Sequence, residues 1–465
     1  MNLNRINKKN KIVIALLLTV FVIKVITLIS FNNIEWEPDS YMHFLELESI
    51  YANFPQNLSL GLNVWSKPLY IYPLGLITYL FNLKTFFVIE LVNIIIFLLI
   101  AFIVYKISLN IYKNYTVALT ALLLTSLSLT LFKSSLSVLT EPIFTLMLVT
   151  SFYFLTKKKF SLASLFIGLS VLARIEGLFF IGLYIIYTWY FYKLNIRTAV
   201  KNILLSAIPF LVWNFLGFLN TGDILYFRTF FQSYSAGNYG VGTLLDYPKM
   251  FITKEFVLSL MFLAALVLVT KYRNKLQNKK LILYSLLTFV GFVAVQAILW
   301  SRGAFGTAGL MRYFISVIPF LILFVVSIFP IIKSVFNKRL FLLSLVTTIG
   351  AQILLLFFYL TGTIVSTQEV PKVESYFIEA GMWLKDNYSQ DVFIAADRPE
   401  ILYYAQRNLV NSKVYFSNAY ALKTPGIYVW TEWSPLTNKI TKEDIDSNAE
   451  LINQFEGKVF VYEIK

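Results

Sequence analysis

The 465-residue chain contains no cysteine and only one histidine, so several kinds of functional site are excluded at once. Without thiols it can form no disulfide, no thiolate metal site and no cysteine nucleophile. It also lacks the Gly-rich Walker loop that cradles nucleotide phosphates, so no nucleotide cofactor is expected. Carboxylates, cations and the lone His43 remain as candidate catalytic groups.

Acidic residues are scarce, with 25 Asp and Glu against 40 Lys and Arg. A net charge of +15 can indicate a nucleic-acid partner. Here, however, the excess is distributed loop by loop between apolar runs, a pattern typical of membrane topology and of attraction to anionic lipid headgroups. We therefore expect a lipid bilayer as partner and no nucleic acid.

Polar stretches are equally rare through most of the chain. Hydrophobic residues make up 58% and aromatic residues 17%, and the mean hydropathy is +0.69, all above the values of soluble globular proteins. Apolar runs of about 17–25 residues recur, the length that crosses the hydrocarbon core of a bilayer. The composition predicts a mostly α-helical polytopic membrane protein.

Six short stretches carry half of the 40 Lys and Arg residues and none of the 25 acidic residues. Because short loops rich in Lys and Arg stay on the cytoplasmic side, this partition predicts a cytoplasmic N terminus. It also places nearly every carboxylate outside the cytoplasm. The stretches are residues 1–12, 105–115, 157–160, 192–201, 271–280 and 333–339.

Alternation between these stretches predicts about eleven transmembrane spans in the cytoplasmic membrane. Residues 69–82 are apolar but short and contain Pro73 and Gly75, so we expect them to lie in the interface or to re-enter. The predicted spans are 12–31, 85–104, 115–132, 142–156, 160–173, 177–192, 202–219, 255–270, 281–299, 313–332 and 340–364.

The composition changes abruptly near residue 365, which predicts two domains. Residues 1–364 form the transmembrane domain, with an outer loop at 32–84, and residues 365–465 form a small extracytoplasmic α/β domain. The second part holds 14 of the 25 acidic residues. Its predicted strands are 392–396, 414–417, 427–430 and 459–462, and its predicted helices are 374–388, 399–407 and 441–455.

The first outer loop carries polar residues in a pattern that favours a site. Pro38 suits the first position of a helix, which places Asp39 in the first turn and His43 on the same helix face. A capped amphipathic helix is the alternative interpretation. Further candidates in this loop are Glu37, Tyr41 and Lys67.

Three later outer loops supply matching groups. Glu141 begins a span, where a carboxylate is costly unless it faces a cavity or a partner, although an acid before proline at a helix start is equally plausible. Arg174 either pairs with Glu176 across a tight turn or contacts a substrate. Two arginines in the Gly-rich loop suit a phosphate, and one of them could instead snorkel to the interface. These candidates are Arg302, Arg312 and the neighbouring Tyr313.

The order of these motifs resembles the GT-C superfamily of integral-membrane glycosyltransferases. WEPD at 36–39, KPLY at 67–70, LTEP at 139–142 and the Gly-rich loop ending RYF at 312–314 carry the likeness. The chain is most similar to the protein O-mannosyltransferase and aminoarabinose-transferase branch, which is glycosyltransferase family 39-like. The resemblance implies a polyprenyl-phosphate sugar donor and an extracytoplasmic acceptor in the cell envelope, either protein, lipid or glycan.

The resemblance also implies roles for individual residues. Asp39 matches the acidic residue of the first loop, which is assigned as the catalytic base in that family. Lys67 matches the lysine near the lipid phosphate, and Glu141 matches the acidic residue at the later span start. The aminoarabinose branch has Pro-Asp-Glu where this chain has Pro-Asp-Ser, and Glu37 is the candidate substitute for the missing acid. A divalent ion held by Asp39, Glu37 and His43 is a further possibility.

The expected reaction is an inverting sugar transfer in which Asp39 deprotonates the acceptor and Lys67 with Arg302 or Arg312 stabilises the departing phosphate. One alternative is an oligosaccharyltransferase, because DSYMHF at 39–44 is similar to a D-x-Y-x-H pattern. Another is a lipid or sugar transporter, for which Lys24 and Glu90 are the only clear charges within spans. A scaffold whose outer domain only binds is the third.

Overall fold

The computed structural model confirms a polytopic helical protein with a small C-terminal sheet. The residues that it describes are 3–30, 38–52, 54–62, 67–81, 85–226, 240–304, 309–360, 373–414, 424–432, 434 and 440–464. The helices of the apolar part are α1 (Leu3–Ser30), α2 (Pro38–Ala52), α3 (Pro68–Phe81), α4 (Phe86–Tyr112), α5 (Tyr115–Leu127), α6 (Leu129–Ser134), α7 (Glu141–Thr156), α8 (Phe160–Ala173), α9 (Gly177–Tyr192), α10 (Ile196–Thr221), α11 (Asp246–Lys254), α12 (Phe256–Lys271), α13 (Lys279–Ser301), α14 (Ile318–Val325), α15 (Ile328–Val335) and α16 (Lys338–Leu360).

Six helical stretches of the described chain are long and apolar enough to cross a membrane, and the bent pair α11–α12 would be a seventh. The described residues of every predicted span fall on a helix or helix pair, and residue 31 and residues 361–364, at the ends of two predicted spans, lie outside the described residues. Four of them fall on α5, α7, α8 and α9, which have only 13 to 16 residues. At 1.5 Å per residue these helices are shorter than a typical hydrocarbon core.

The spans predicted at 115–132 and 313–332 are each interrupted, and the span predicted at 255–270 begins at a sharp corner. The span predicted at 115–132 breaks at Ser128, where α5 ends and the six-residue α6 begins. The helix predicted at 255–270 meets α11 at an angle of 110°, with Glu255 at the corner. Glu255 accepts hydrogen bonds from Ser128 Oγ (2.7 Å) and Thr130 N (2.9 Å). The side chain at the corner therefore provides the acceptor for the hydroxyl and the amide at the break.

The centre of the bundle is α14, with the sequence IPFLILFV. All eight of its residues are buried, as expected for a helix that is apolar on every side. It packs against α4, α5, α12 and α13. The segment predicted to lie in the interface forms α3, with Pro73 inside the helix, and packs against α2.

The C-terminal part folds as an α/β layer on a five-stranded sheet of order β2-β1-β3-β5-β4. Strands β2, β1 and β3 are parallel, and β3, β5 and β4 are antiparallel. The elements are α17 (Ser375–Asn387), β1 (Ile394–Ala396), α18 (Pro399–Tyr404), β2 (Ser412–Val414), β3 (Gly426–Thr431), α19 (Lys442–Asp446), β4 (Glu450–Phe455) and β5 (Val459–Ile464).

The helix predicted at 441–455 is wrong beyond its first turns. Only Lys442–Asp446 is helical, and Glu450–Phe455 is an edge strand paired with β5. The amide of Asn448 donates to Asp444 O, which holds the chain in a turn after the short helix. Pairing at a sheet edge depends on a distant strand, so the local pattern did not reveal it.

Helix α2 joins the two parts of the protein. Met42 and Leu45 belong to the hydrophobic core beneath the C-terminal sheet, and Leu409 N donates to Ser49 Oγ at 2.7 Å. Phe44 and Leu47, nearly half a turn around the helix, pack with α3 and α4 instead. Two faces of α2 are therefore fixed by packing, and a third remains for polar side chains.

Candidate active site

The third face of α2 carries Asp39, His43 and Glu46. The spacings of four and three residues place them on one side of the helix, as predicted for Asp39 and His43. His43 is buried, with Nδ1 3.5 Å from Glu46 Oε2. Asp39 stands in the first turn, where the helix dipole favours a carboxylate.

Glu141 is the first residue of α7 and only 2% exposed. The segment before it is held by Asn93 of α4, whose amide donates to Ser137 O (2.6 Å) and Leu139 O (3.3 Å). Since backbone carbonyls buried in a membrane protein need partners, this mid-span amide explains how an irregular segment can precede Glu141.

Arg174, in the turn between α8 and α9, contacts two carboxylates. Its Nη1 lies 2.7 Å from Glu141 Oε1, and its Nη2 lies 2.8 Å from Glu176 Oε1. Its guanidinium also lies over the Tyr313 ring, 5.5 Å from the centroid. Burial opposes the charge of Arg174, but the attraction of Glu141 and Glu176 outweighs it and raises the pKa of the guanidinium.

Arg312 completes the arrangement. Its Nη2 forms an ion pair with Asp39 Oδ2, and its Nε lies 3.7 Å from Glu141 Oε1. Glu141 therefore lies between two arginines. We call the resulting series of alternating charges the ion-pair chain, which consists of Asp39, Arg312, Glu141, Arg174 and Glu176.

Lys67 adds a third cation beside the ion-pair chain. It is 9% exposed and lies just before α3, whose first turn it caps through its carbonyl. Burial lowers the pKa of Lys67, and repulsion from Arg174 lowers it further. Attraction to Glu176, Glu46 and Asp39 opposes both effects, which places the ammonium group in the field of the same carboxylates.

Asp39 is the most accessible carboxylate of the ion-pair chain. Its side chain is 24% exposed, only slightly more than that of Glu176 at 21%, whereas that of Glu141 is 3% exposed. Burial favours the protonated form of Asp39, but attraction to Arg312, His43 and Arg174 is stronger and keeps the pKa of this carboxyl below its usual value. Asp39 is therefore ionised at neutral pH and can accept a proton.

Other predicted site residues lie elsewhere. Tyr41 is buried between Phe86 of α4 and Tyr403 of the C-terminal part. The centroid of each of these rings lies 5.1 Å from that of Tyr41. Arg302 is exposed at the C-terminal end of α13. Glu37 lies outside the described residues. Among the residues that are described, no three His, Asp or Glu side chains form a group suited to a metal ion.

We call the ion-pair chain together with Lys67, His43 and Glu46 the charged cluster. Two of its members, Glu46 and Glu176, were not predicted as site residues. Glu46 lies seven residues after Asp39, so the helical period that paired Asp39 with His43 could have identified it. Glu176 was considered only as a partner of Arg174 within the turn. Its connection through Arg174 to Glu141 depends on the packing of α7 against α8, which a local pattern does not show.

A cavity of about 510 Å³ lies beside the other end of α2. Phe44 and Tyr51 of α2 line it together with Thr78 and Tyr79 of α3, and Glu48 lies at its wall. Along α2, Phe44 and Tyr51 are about one and a half and three helical turns from Asp39. The charged cluster, and not this cavity, therefore carries the acid–base and cationic groups that a transfer reaction needs.

The comparisons with known proteins bear on the fold. No protein-family model and no curated protein matches the sequence. Among solved structures, ArnT from Cupriavidus metallidurans bound to undecaprenyl phosphate is similar at a TM-score of 0.68, with 9% identity and 97% of each chain covered. Its apo state gives a TM-score of 0.67, with 10% identity and 98% of each chain covered.

A second type of neighbour is the archaeal oligosaccharyltransferase AglB from Archaeoglobus fulgidus, in complex with an inhibitory peptide and a dolichol-phosphate. The TM-score is 0.57 and the identity 12%, with 89% of this chain and 69% of that chain covered. The chain therefore shares the fold of both types of solved structure, as the resemblance to the GT-C superfamily predicted.

Proposed function

We propose that this protein is an inverting glycosyltransferase that moves one sugar from a polyprenyl-phosphate donor to an extracytoplasmic acceptor. The observation that carries the proposal is the pairing of Asp39 with Arg312 beside a second arginine and Lys67. A base next to several cations suits a reaction that activates a nucleophile while a phosphate departs.

In the proposed reaction, Asp39 accepts the proton of the acceptor hydroxyl or amine. The acceptor atom forms a bond to the anomeric carbon of the sugar, and the bond from that carbon to the phosphate oxygen breaks. The electron pair leaves with the polyprenyl phosphate. Arg312, Arg174 and Lys67 stabilise the negative charge on its oxygens, for which bidentate guanidinium groups are well suited.

The membrane placement supports a site on the outer side. We propose a cytoplasmic N terminus and an extracytoplasmic C-terminal domain, because the stretches rich in Lys and Arg alternate with the loops that carry the cluster. The domain would then lie on the same side as Asp39, which agrees with its packing on α2. A lipid-linked donor reaches this side without a nucleotide.

Two further observations support a lipid-phosphate donor. One solved neighbour contains undecaprenyl phosphate, and the other contains a dolichol-phosphate together with a peptide. The second neighbour also keeps open the alternative of an oligosaccharyltransferase that transfers a glycan en bloc to a peptide.

A transporter is less well supported. Lys24, the fully buried charge of α1, donates to Phe132 O (3.2 Å) and Ser135 Oγ (2.5 Å). Its ammonium also lies 3.8 Å from the centroid of the Phe132 ring. These contacts give Lys24 a role in packing between helices, whereas a transport pathway needs charges that face a water-filled passage.

The test is mass spectrometry of lipid-linked sugars and envelope glycans in a strain from which the gene is deleted. We expect one polyprenyl-phosphate sugar to accumulate, and expression of the wild-type protein to clear it. Asp39→Asn should clear it about 10²–10⁴ times more slowly. Glu379→Gln, an exposed change on α17, serves as the matched control. Clearance by Asp39→Asn at the wild-type rate would disprove the role of Asp39.

A further inference from the structure

The cations of the cluster already have carboxylate partners. Arg312 contacts Asp39 and approaches Glu141, and Arg174 contacts Glu141 and Glu176. With Lys67 included, three cations face the three carboxylates of the ion-pair chain. A phosphate that enters this site does not find open guanidinium groups and must compete for them.

The two arginines differ in the carboxylates that they contact. Arg174 lies between Glu141 and Glu176, with charge-assisted hydrogen bonds of 2.7 and 2.8 Å to the two carboxylates. Arg312 has its short contact with Asp39, whereas its Nε is 3.7 Å from Glu141, beyond hydrogen-bond distance. The side chains of Asp39 and Glu176 are similarly exposed, at 24% and 21%. Glu176, however, receives both Nε and Nη2 of Arg174 within one turn, whereas Asp39 and Arg312 come from distant segments. The contact between Asp39 and Arg312 is therefore the one that an incoming anion can replace with the least rearrangement.

We infer that the phosphate of a polyprenyl-phosphate lipid displaces Asp39 from Arg312, while Glu141 keeps both arginines in place. This inference rests on the proposed function, because it takes the lipid phosphate as the ligand. The N–H groups of Arg312 that bound the carboxylate then bind the phosphate oxygens, since guanidinium forms similar paired hydrogen bonds with both. Asp39 is released at the moment when the donor is bound.

This exchange gives Asp39 two states of basicity. In the empty site, attraction to Arg312 is a principal reason why the pKa of Asp39 is low, and a carboxylate with a low pKa is a weak base. When a phosphate occupies Arg312, that attraction is shared with a second anion, and the nearby negative charge raises the pKa of Asp39. The base becomes stronger only when a donor is present.

The exchange also affects product release. The departing polyprenyl phosphate carries more negative charge than the donor diester, and it remains on the same arginine. Asp39 and the phosphate then compete for Arg312 in the reverse direction, which weakens the hold of the site on its product. A carboxylate that assists catalysis should therefore reduce the affinity for the lipid product.

The experiment measures the affinity of the full chain in nanodiscs for undecaprenyl phosphate. We expect Asp39→Asn and Asp39→Ser to bind it about tenfold more tightly than the wild type, because the competing carboxylate is gone. Arg312→Gln should bind it about tenfold more weakly. Glu379→Gln should match the wild type. Equal or weaker binding by both Asp39 variants overturns the inference.

A double variant separates direct exchange from a general gain in positive charge. In the Arg312→Gln background, the contested guanidinium is absent, so Asp39→Asn should change the affinity less than about threefold. The same gain in both backgrounds contradicts the exchange. If the wild type itself does not bind undecaprenyl phosphate, the polyprenyl-phosphate donor of the proposed function fails too. Binding by the wild type without a gain in the Asp39 variants removes only the exchange.

Discussion

Nη1 of Arg174 lies 2.7 Å from Oε1 of Glu141, and the two side chains are only 15% and 3% exposed. The contact connects the turn after α8 with the start of α7. Each partner offsets the cost of burying the other, and the loss of Arg174 removes the nearest cation from both Glu141 and Glu176.

We predict that Arg174→Gln lowers the free energy of unfolding by about 3 kcal/mol. Thermal unfolding of the full chain in nanodiscs measures this loss. The double variant Arg174→Gln/Glu141→Gln should lose less than the sum of the two single variants, because the unpaired charge is removed with its partner. Losses that simply add would show that the two side chains are not coupled.

The short helix α6 lies between two buried ionisable side chains, Glu255 at its N-terminal end and Lys24 at its C-terminal end. The Glu255 carboxylate accepts from Ser128 Oγ and Thr130 N at its N-terminal end, and Lys24 donates to Phe132 O and Ser135 Oγ at its C-terminal end. These hydrogen bonds fix both ends of α6. Since α6 leads directly to the segment before Glu141, they also fix the position of that segment.

Lys24→Met should therefore loosen the segment from α6 to Glu141. We expect its backbone amides to exchange with deuterium about tenfold faster, with little change in other helices. Hydrogen-exchange mass spectrometry of the protein in nanodiscs reads this directly. Lys333→Met, an exposed lysine in α15, is the matched control. Unchanged protection of residues 129–141, or a uniform loss across the protein, would contradict the assignment.

The sequence predicted more of the fold than of the site. The spacing of basic stretches located the helices of the membrane part, and Pro38 indicated the helix that carries Asp39. The break at Ser128 was missed, because its partner Glu255 is distant in sequence and belongs to another predicted span. Local periodicity contains no information on such a contact.

The same limit applies to the cluster. Asp39, Glu141, Arg174 and Arg312 were each candidates on local grounds, but their connection into one series of ion pairs depends on how four separate loops meet. Tyr41 shows the opposite case, in which a local pattern suggested a site residue that the structure places elsewhere. Its position beside Asp39 in sequence suggested a substrate contact, yet a shift of two residues turns a helical side chain by more than half a circle, here towards Tyr403.

The aromatic contact between Tyr403 and α2 gives the C-terminal domain a role in placing Asp39. The Tyr403 ring lies 5.1 Å from that of Tyr41 and 5.5 Å from that of Phe44, both edge-on. We predict that Tyr403→Ala costs about 3 kcal/mol of stability, through lost burial and ring contacts. It should also slow clearance of the accumulated lipid-linked sugar in the deletion strain.

Tyr190→Ala, which removes an exposed ring from α9, is the control for the loss of a tyrosine. Limited proteolysis of the full chain can report whether the domain has detached from α2. A Tyr403→Ala protein with normal stability and normal clearance would show that the domain does not support the helix.

Asp397 makes the stability of the C-terminal domain depend on pH. Its carboxylate follows β1, is 1% exposed, and accepts from Thr431 Oγ1 (2.5 Å) and Ser434 Oγ (2.8 Å). Burial raises the pKa of Asp397 to about 6, although the two hydroxyl donors oppose the shift. The folded domain therefore retains a proton that the unfolded chain releases near pH 4.

The sign of the effect follows from that difference in proton binding. Between about pH 4 and pH 6 the folded state holds more protons, so its stability should fall as the pH rises, by about 3 kcal/mol in total, and then level off. Asp397→Asn cannot ionise and should remove this slope, whereas Asp386→Asn on the surface of α17 should keep it. The urea midpoint of the domain in the full chain, measured by pulse proteolysis across this range, tests both. A wild-type midpoint that rises with pH over the same interval would mean that Asp397 is ionised in the folded domain throughout.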